Sequence, residues 1–300
     1  MKKLLFVDTN IYLDFYRARN ETGLGLLKHL DAIKDQLIVT DQIEMEFLKH
    51  RQIALLETIN YLKAPSKISR PGLLSEHNSL RALQRGIDDC GKHVKKLSDR
   101  LARVFREPSS YDPIHKVAMR IFAKKDKLNL RRDSKFKNKI RRQAFRRFMF
   151  GYPPRKQGDT SYGDSINWEW IIHCAIEQKA DIWIVSRDSD YGVTFGEQSY
   201  LNDWLEHEFS DRVSQKRKVV LTKRLSEALK EFAVPVTKAE ETEEVALVEF
   251  LGLKPGHTKE EFNAAVDAFL KSMDIGDQNI VGELSSSPTI IAQTQPPESK

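Results

Sequence analysis

The 300-residue sequence predicts an α/β fold: a parallel sheet with helices on both faces, a helical insertion and a small acidic C-terminal extension. Three observations carry this. Short apolar runs, Leu4-Leu5-Phe6-Val7, Leu37-Ile38-Val39, Ile182-Trp183-Ile184-Val185 and Val219-Val220-Leu221, alternate with longer helical stretches. Each run is too short for a helix and too apolar for a solvent face, as expected of strands covered on both sides. A charged helical stretch, roughly 64–150, separates the second run from the third, and the charge turns acidic after Pro235.

Taken in order, residues 3–7 form the first strand, which stops on Asp8. Helices follow over about 10–17 and 24–34, then a strand over 36–39. Asp41 opens a helix through about Leu62, and Glu44 three residues on has the spacing of a capping box, with Asp in place of Ser or Thr. Pro65 and Pro71 break the pattern between Ala64 and Gly72. A long helix over 75–106 carries Leu80, Leu83, Ile87, Cys90, Val94, Leu97, Leu101 and Val104, alternately three and four residues apart. That spacing is a heptad seam. An intramolecular hairpin or arm is the preferred reading, its partner strip being Phe136, Ile140, Ala144 and Phe148. A homodimer or partner protein along 75–106 is the alternative.

A turn-rich loop, Gly151 to Gly163, leads to a helix over about 164–179. The third strand, 181–185, ends in Ser186-Arg187-Asp188. A fourth, 218–221, precedes a helix through about Phe232. Two short acidic helices are expected near 240–251 and 258–272, and disorder from about Asp277, where Ser, Pro, Thr and Gln dominate. The expected organisation is a main domain over 1–235, an acidic extension over 236–276 and a tail over 277–300.

Charge is unevenly spread. From Lys116 to Arg147 fourteen Lys and Arg stand against two acids, whereas from Val236 onward twelve acids stand against five Lys. A basic stretch of this density, including Arg141, Arg142, Arg146 and Arg147, points to a polyanionic partner; a solvated helix face is the plainer reading. Phe145 and Phe148 are expected to pack in the core. No apolar run is long enough to span a membrane, and the first one is too short for a signal-peptide core, so the expected location is cytoplasmic. Cys90 and Cys174 lack metal-type spacing and are expected as buried small residues.

The strand ends carry the chemistry. In a parallel sheet all strand C-termini share one edge, where ligands bind. Asp8 follows the first strand there, Asp188 and Asp190 follow the third, Asp164 opens the helix before it, and Glu44 and Glu46 lie early in the helix after the second. Each alone could be a cap or turn residue. Together they form an all-oxygen donor set for a hard divalent cation. Glu44 has the capping role, so Glu46 is the expected ligand.

FVDTN, IEMEFL, YGDSINW and IVSRDSDYG, in this order, resemble the motifs of the PIN domain family of metal-dependent nucleases. Residues 152–172 look like a PIN-like subfamily with a long helical insertion. The resemblance covers 1 to about 232, with the insertion loosely matched. It implies Asp8, Glu46, Asp164 and Asp188 as Mg²⁺ or Mn²⁺ ligands, Asp190 as an outer or second-metal ligand, and Asn10 and Ser186 as residues that orient carboxylates. It implies phosphodiester hydrolysis, with RNA favoured over DNA, in an endoribonuclease of toxin or defence type. Arg155 and Lys156, in the loop before Asp164, are candidate phosphate contacts; Asp159 in that loop could tie it down or assist a metal. Arg187 is expected either to meet substrate or to pair with a neighbouring acid. The alternatives are a non-catalytic nucleic-acid-binding scaffold and a haloacid-dehalogenase-like phosphatase. The second needs an Asp two residues after Asp8, where this chain has Asn10.

Overall fold

The computed structural model describes residues 2–18, 20–60, 72–74, 76–154 and 161–252. The chain opens with β1 (Lys3–Val7), α1 (Thr9–Asp14), α2 (Gly25–Ala32), β2 (Leu37–Thr40) and α3 (Asp41–Asn60). The insertion holds α4 (Asn78–Arg106), α5 (Pro108–Tyr111), α6 (Pro113–Phe122), the two-residue strand β3 (Asn129–Leu130) and α7 (Lys137–Met149). Then come α8 (Gly163–Gln178), β4 (Asp181–Val185), β5 (Gly192–Phe195), β6 (Gln198–Leu201), α9 (Asp203–Arg212), β7 (Val219–Thr222), α10 (Leu225–Glu231) and α11 (Lys238–Gly252).

Five parallel strands form one sheet in the order β3-β2-β1-β4-β7. Leu4, Leu5, Phe6 and Ile182 and Ile184 beside them are fully buried, which is why these runs carry no polar alternation. From β1 the chain winds outward through β2 to β3, then crosses back to β4 and β7. The order therefore reverses between β1 and β4, and their C-terminal ends frame the crevice where such sheets take ligands. Asp8 N extends the ladder there by donating to Val185 O at 2.9 Å.

Crossovers run in two directions from β1, an arrangement that puts helices on both faces when connections are right-handed, as they are as a rule. α8 lies against β2 and β4, with α7 and α9 packed on it; α6 meets β2, α10 meets β4 and β7, and α2 touches both of these helices. α8 is buried nearly all round, so that even its polar Ser165, Asn167 and Glu169 are covered. Its two tryptophans still reach acceptors: Trp168 Nε1 donates to Glu208 at 2.9 Å and Trp170 Nε1 to Leu128 O at 2.9 Å.

Several expectations change. The first helix ends at Asp14, not near 17, and the long one starts at Asn78. The capping box at Asp41 does not form: β2 runs through Thr40, and Thr40 Oγ1 accepts from Ile43 N at 3.2 Å, so Thr40 holds the cap position. The insertion is not only helical, since β3 adds an edge strand beside β2. The strip Phe136, Ile140, Ala144, Phe148 does not partner the heptad seam. Ile140 and Ala144 are buried as α7 packs on α8, and the Phe136 ring lies against Trp170 and His173. A stronger apolar surface, the buried helix α8, outcompetes the seam. Cys174 is buried, but Cys90 is only half-buried. The hairpin β5–β6, turning through Gly196 at φ 60°, was not expected.

A compact unit covers Met1–Phe250, so most of α11 goes with the sheet. Glu244 on α11 accepts from the free N–H groups of Leu225 and Ser226 at the start of α10, at 2.5 and 2.9 Å. The expected helix at 258–272 and the tail from 277 lie outside the described residues, as do Arg155, Lys156 and Asp159.

Candidate functional site

Asp8 sits where β1 runs out, 5% exposed, and all its hydrogen bonds come from neutral donors. Thr9 N donates to Oδ1 at 2.7 Å; Ser186 Oγ and Asn10 Nδ2 donate to Oδ2 at 2.5 and 3.1 Å. One contact is local and serves the start of α1. The Ser186 contact crosses from β1 to β4 and exists only because the two strands are neighbours. Ser186 Oγ also accepts from Asp188 N at 3.0 Å, which fixes the loop that carries the second acid.

Burial pushes the Asp8 carboxyl up to about 6, against the hydrogen bonds from Ser186 and Thr9; the charges of Asp188 and Glu46 push in the same direction as burial. Burial pushes Asp164 up to about 8, helped by the charges of Asp8, Glu46, Asp190 and Asp188. These mutual effects place all five acids within electrostatic reach of one another. Asp164 lies in the first turn of α8, whose opening residue, Gly163, allows a close approach. A Cβ there would fall 2.5 Å from Gln42 Nε2 and 2.8 Å from Glu46 Oε1. Glu46 is held by Thr9 Oγ1 at 2.9 Å and Gln42 Nε2 at 2.6 Å. Glu44 is not among the acids that raise Asp8 or Asp164.

The donor set is all oxygen, which suits Mg²⁺ or Mn²⁺. Among the described residues no three His, Cys, Asp or Glu side chains are close enough to hold one ion as they stand. The raised carboxyls fit a cation all the same, because a positive charge among them is what would return them to the ordinary range.

Three neighbours went unnoticed in the sequence. Thr9 and Gln42 are the donors to Glu46. Tyr191 is fully buried, its hydroxyl has no hydrogen-bond partner among the described residues, and burial together with the charges of Asp164, Asp8 and Glu46 drives its pKa well up. Thr9 stands within FVDTN and Tyr191 within IVSRDSDYG, but nothing local says that these polar groups face the acids.

The basic residues divide. Arg142 and Arg146 are exposed on α7. Arg141 is half-exposed and donates to Asp41 at 2.7 Å, tying α7 to the start of α3. Arg147, expected on the surface with them, is 4% exposed. It pairs with Glu169 at 3.0 Å and also with Glu208 and Pro153 O. Burial would raise Glu169, but the hydrogen bonds and charges of Arg212 and Arg147 outweigh it and hold the carboxyl below its usual range. Arg147 is thus a structural ion-pair residue, on the side of α7 that packs on α8. Arg187 is mostly buried too, paired with Asp14 and, at 3.6 Å, with Glu244. Phe145, expected in the core, is 51% exposed, with its ring edge-on to Tyr162 at 6.1 Å. Tyr162 precedes Asp164 by two residues, so the outward face of α7 lies beside the acidic edge.

Comparison with protein families matches residues 5–191 to the PIN domain, a stretch that contains all five acids. PIN domains are generally nucleases that use divalent metals. Neither a curated protein nor a solved structure matches the chain. With the match spanning more than half of the chain and ending one residue past Asp190, this protein belongs to the PIN-domain family.

Proposed function

We propose that this chain is an endonuclease that hydrolyses phosphodiester bonds, RNA in preference to DNA, with Mg²⁺ or Mn²⁺. Asp8, Glu46, Asp164 and Asp188 would hold the metal, and Asp190 would serve as an outer ligand or hold a second ion. One observation carries the reading: at the β1/β4 crevice burial and the charges of Asp8, Glu46, Asp190 and Asp188 push Asp164 up to about 8, and Asp8 is pushed up to about 6 beside it. Acids in that condition await a cation. RNA is favoured by the resemblance of the motifs to nucleases acting on it. Free Cys90 and Cys174 support a reducing compartment, the cytoplasm.

A divalent ion held by these acids would supply an activated water and charge neutralisation at the phosphate. The residues of the chain do the rest. Ser186, Asn10 and Thr9 N hold the Asp8 carboxylate in one orientation. Thr9 and Gln42 orient Glu46. Arg142 and Arg146 offer phosphate contacts on the approach, and Phe145 an exposed ring beside them.

The test is a cleavage time course on RNA and DNA of the same sequence, for wild type, Asp8→Asn and Asp188→Asn. Wild type should cut only with Mg²⁺ or Mn²⁺ present and stop in EDTA. Both variants should melt as cooperatively as wild type and lose activity. Cutting undiminished in EDTA, or full activity in either variant, overturns the metal-site reading. Metal-independent binding without cutting supports the scaffold alternative.

A further inference from the structure

We propose that Tyr191 is a further residue of the acidic site: its buried hydroxyl accepts a hydrogen bond from water coordinated to the divalent ion and holds that water in place. The proposal rests on the metal-dependent reading above. Tyr191 follows Asp190 directly and is fully buried. Its ring lies 6.1 Å from that of Phe6, tilted by 50°. Phe6 and Asp8 are two residues apart along extended backbone, so their side chains leave the sheet on the same face. The Tyr191 ring thus stands on the face of β1 that carries the Asp8 carboxylate.

The backbone holds the ring there. Tyr191 O accepts from the N–H of Asn202, the residue that caps α9, at 2.9 Å. Gly192 behind it has no room for even a Cβ, which would fall 2.0 Å from Tyr200 O and 2.9 Å from Leu221 Cδ2. Strands β6 and β7 therefore fix the chain just past the ring.

Packing explains the ring but not the hydroxyl, since Phe would make the same contact with Phe6. The hydroxyls of Thr9 and Ser186 donate to Glu46 and Asp8, whereas that of Tyr191 has no partner among the described residues. A buried polar group without a partner costs stability, so one that is kept calls for a partner. Burial first, then the charges of Asp164, Asp8, Glu46 and Asp190, push the hydroxyl's pKa well up. It therefore stays protonated, and it lies within electrostatic reach of those acids. Asn10 donates to Asp8, yet its Oδ1 is buried and unpartnered in the same way.

The chemistry of these two atoms names what they await. A hard divalent ion held by a few carboxylates keeps several waters. Each such water turns its lone pair to the ion and its hydrogens outward, so it needs acceptors. Tyr191 Oη and Asn10 Oδ1 are acceptors left unused at that edge, and the tyrosine's own O–H can still donate to a carboxylate.

The test compares full-length wild type and Tyr191→Phe, both stripped of metal. Mn²⁺ is titrated in by calorimetry, and melting is followed in EDTA and at one fixed Mn²⁺ concentration. In EDTA the variant should melt at the wild-type temperature or above it, since it loses only an unpartnered hydroxyl. Its Mn²⁺ dissociation constant should rise ~10-fold, as for groups that support a metal's ligands. Its gain in melting temperature from Mn²⁺ should be correspondingly smaller. A variant that melts below wild type in EDTA overturns the proposal, because the hydroxyl then has a structural partner. Equal Mn²⁺ affinity in the two proteins also overturns it and leaves the metal site standing. A wild type that binds no Mn²⁺ overturns the metal-dependent reading and this proposal with it. The two failures are thus told apart without a cleavage assay.

Discussion

Glu46 accepts from Thr9 and Gln42 at 2.9 and 2.6 Å, and its charge is felt by Asp8 and Asp164. Glu44, two residues earlier and so on nearly the opposite side of the same helix, has neither connection, and the cap it was expected to complete belongs to Thr40. Glu46→Gln should therefore cost cleavage ~100-fold or more, since even residues that only support a metal ligand cost 10–100-fold. Glu44→Gln should stay within a few-fold and leave the melting temperature nearly unchanged. Single-turnover rates with saturating Mg²⁺ measure both, and the reverse ranking would move the ligand to Glu44. Gly163→Ala probes the same contact from the other side. It must displace Gln42 or Glu46, so it should weaken metal affinity more than it lowers stability.

At the scale of the element, α7 carries two kinds of arginine. Arg146 and Arg147 are adjacent, so they lie about 100° apart around the helix; one faces solvent and the other faces α8. Arg147→Ala leaves Glu169 and Glu208 with one fewer partner in a buried network and should cost about 3–5 kcal/mol, read by urea unfolding. Arg142→Gln with Arg146→Gln should leave stability within about 0.5 kcal/mol. It should lower the magnitude of the log–log salt slope of RNA binding by ~1.4, about 0.7 for each single-strand phosphate contact. Filter binding across a salt series separates the two. An unchanged slope would reduce the outer face of α7 to a solvated surface.

For the whole molecule, the acidic crevice makes stability depend on pH when metal is absent. Asp8 and Asp164 have folded-state pKa values of about 6 and about 8, above the ordinary 3.8. At these two groups the folded chain then binds more protons than the unfolded one between about pH 4 and 8, so their contribution to stability is full below pH 4 and is lost as pH rises through that window. In EDTA the melting temperature should drop from pH 5 to pH 8, by about 2–4 °C for each kcal/mol lost. Asp164→Asn should flatten the fall, and Mg²⁺ should reverse it in wild type. A melting temperature that rises with pH in EDTA would contradict the burial of these acids.

The four apolar strands, the carboxylates that follow them and the long seam of α4 were all legible in the residues, because each is a local pattern. An apolar run must be buried, and a carboxylate at its end must be capped, paired or coordinated. Other features were not legible. Asn129-Leu130 is too short to show a period, yet it extends the sheet, because the edge of β2 leaves hydrogen bonds to satisfy. Tyr191 and Thr9 join the site only through the packing of β4 and α3 against β1. The strip on α7 and the seam on α4 are both apolar, and their sequences do not say which finds a mate inside the domain. Burial of apolar surface is non-directional. Each face is written in its own helix, but its partner is settled by the competition among all faces at once, and α8 won α7.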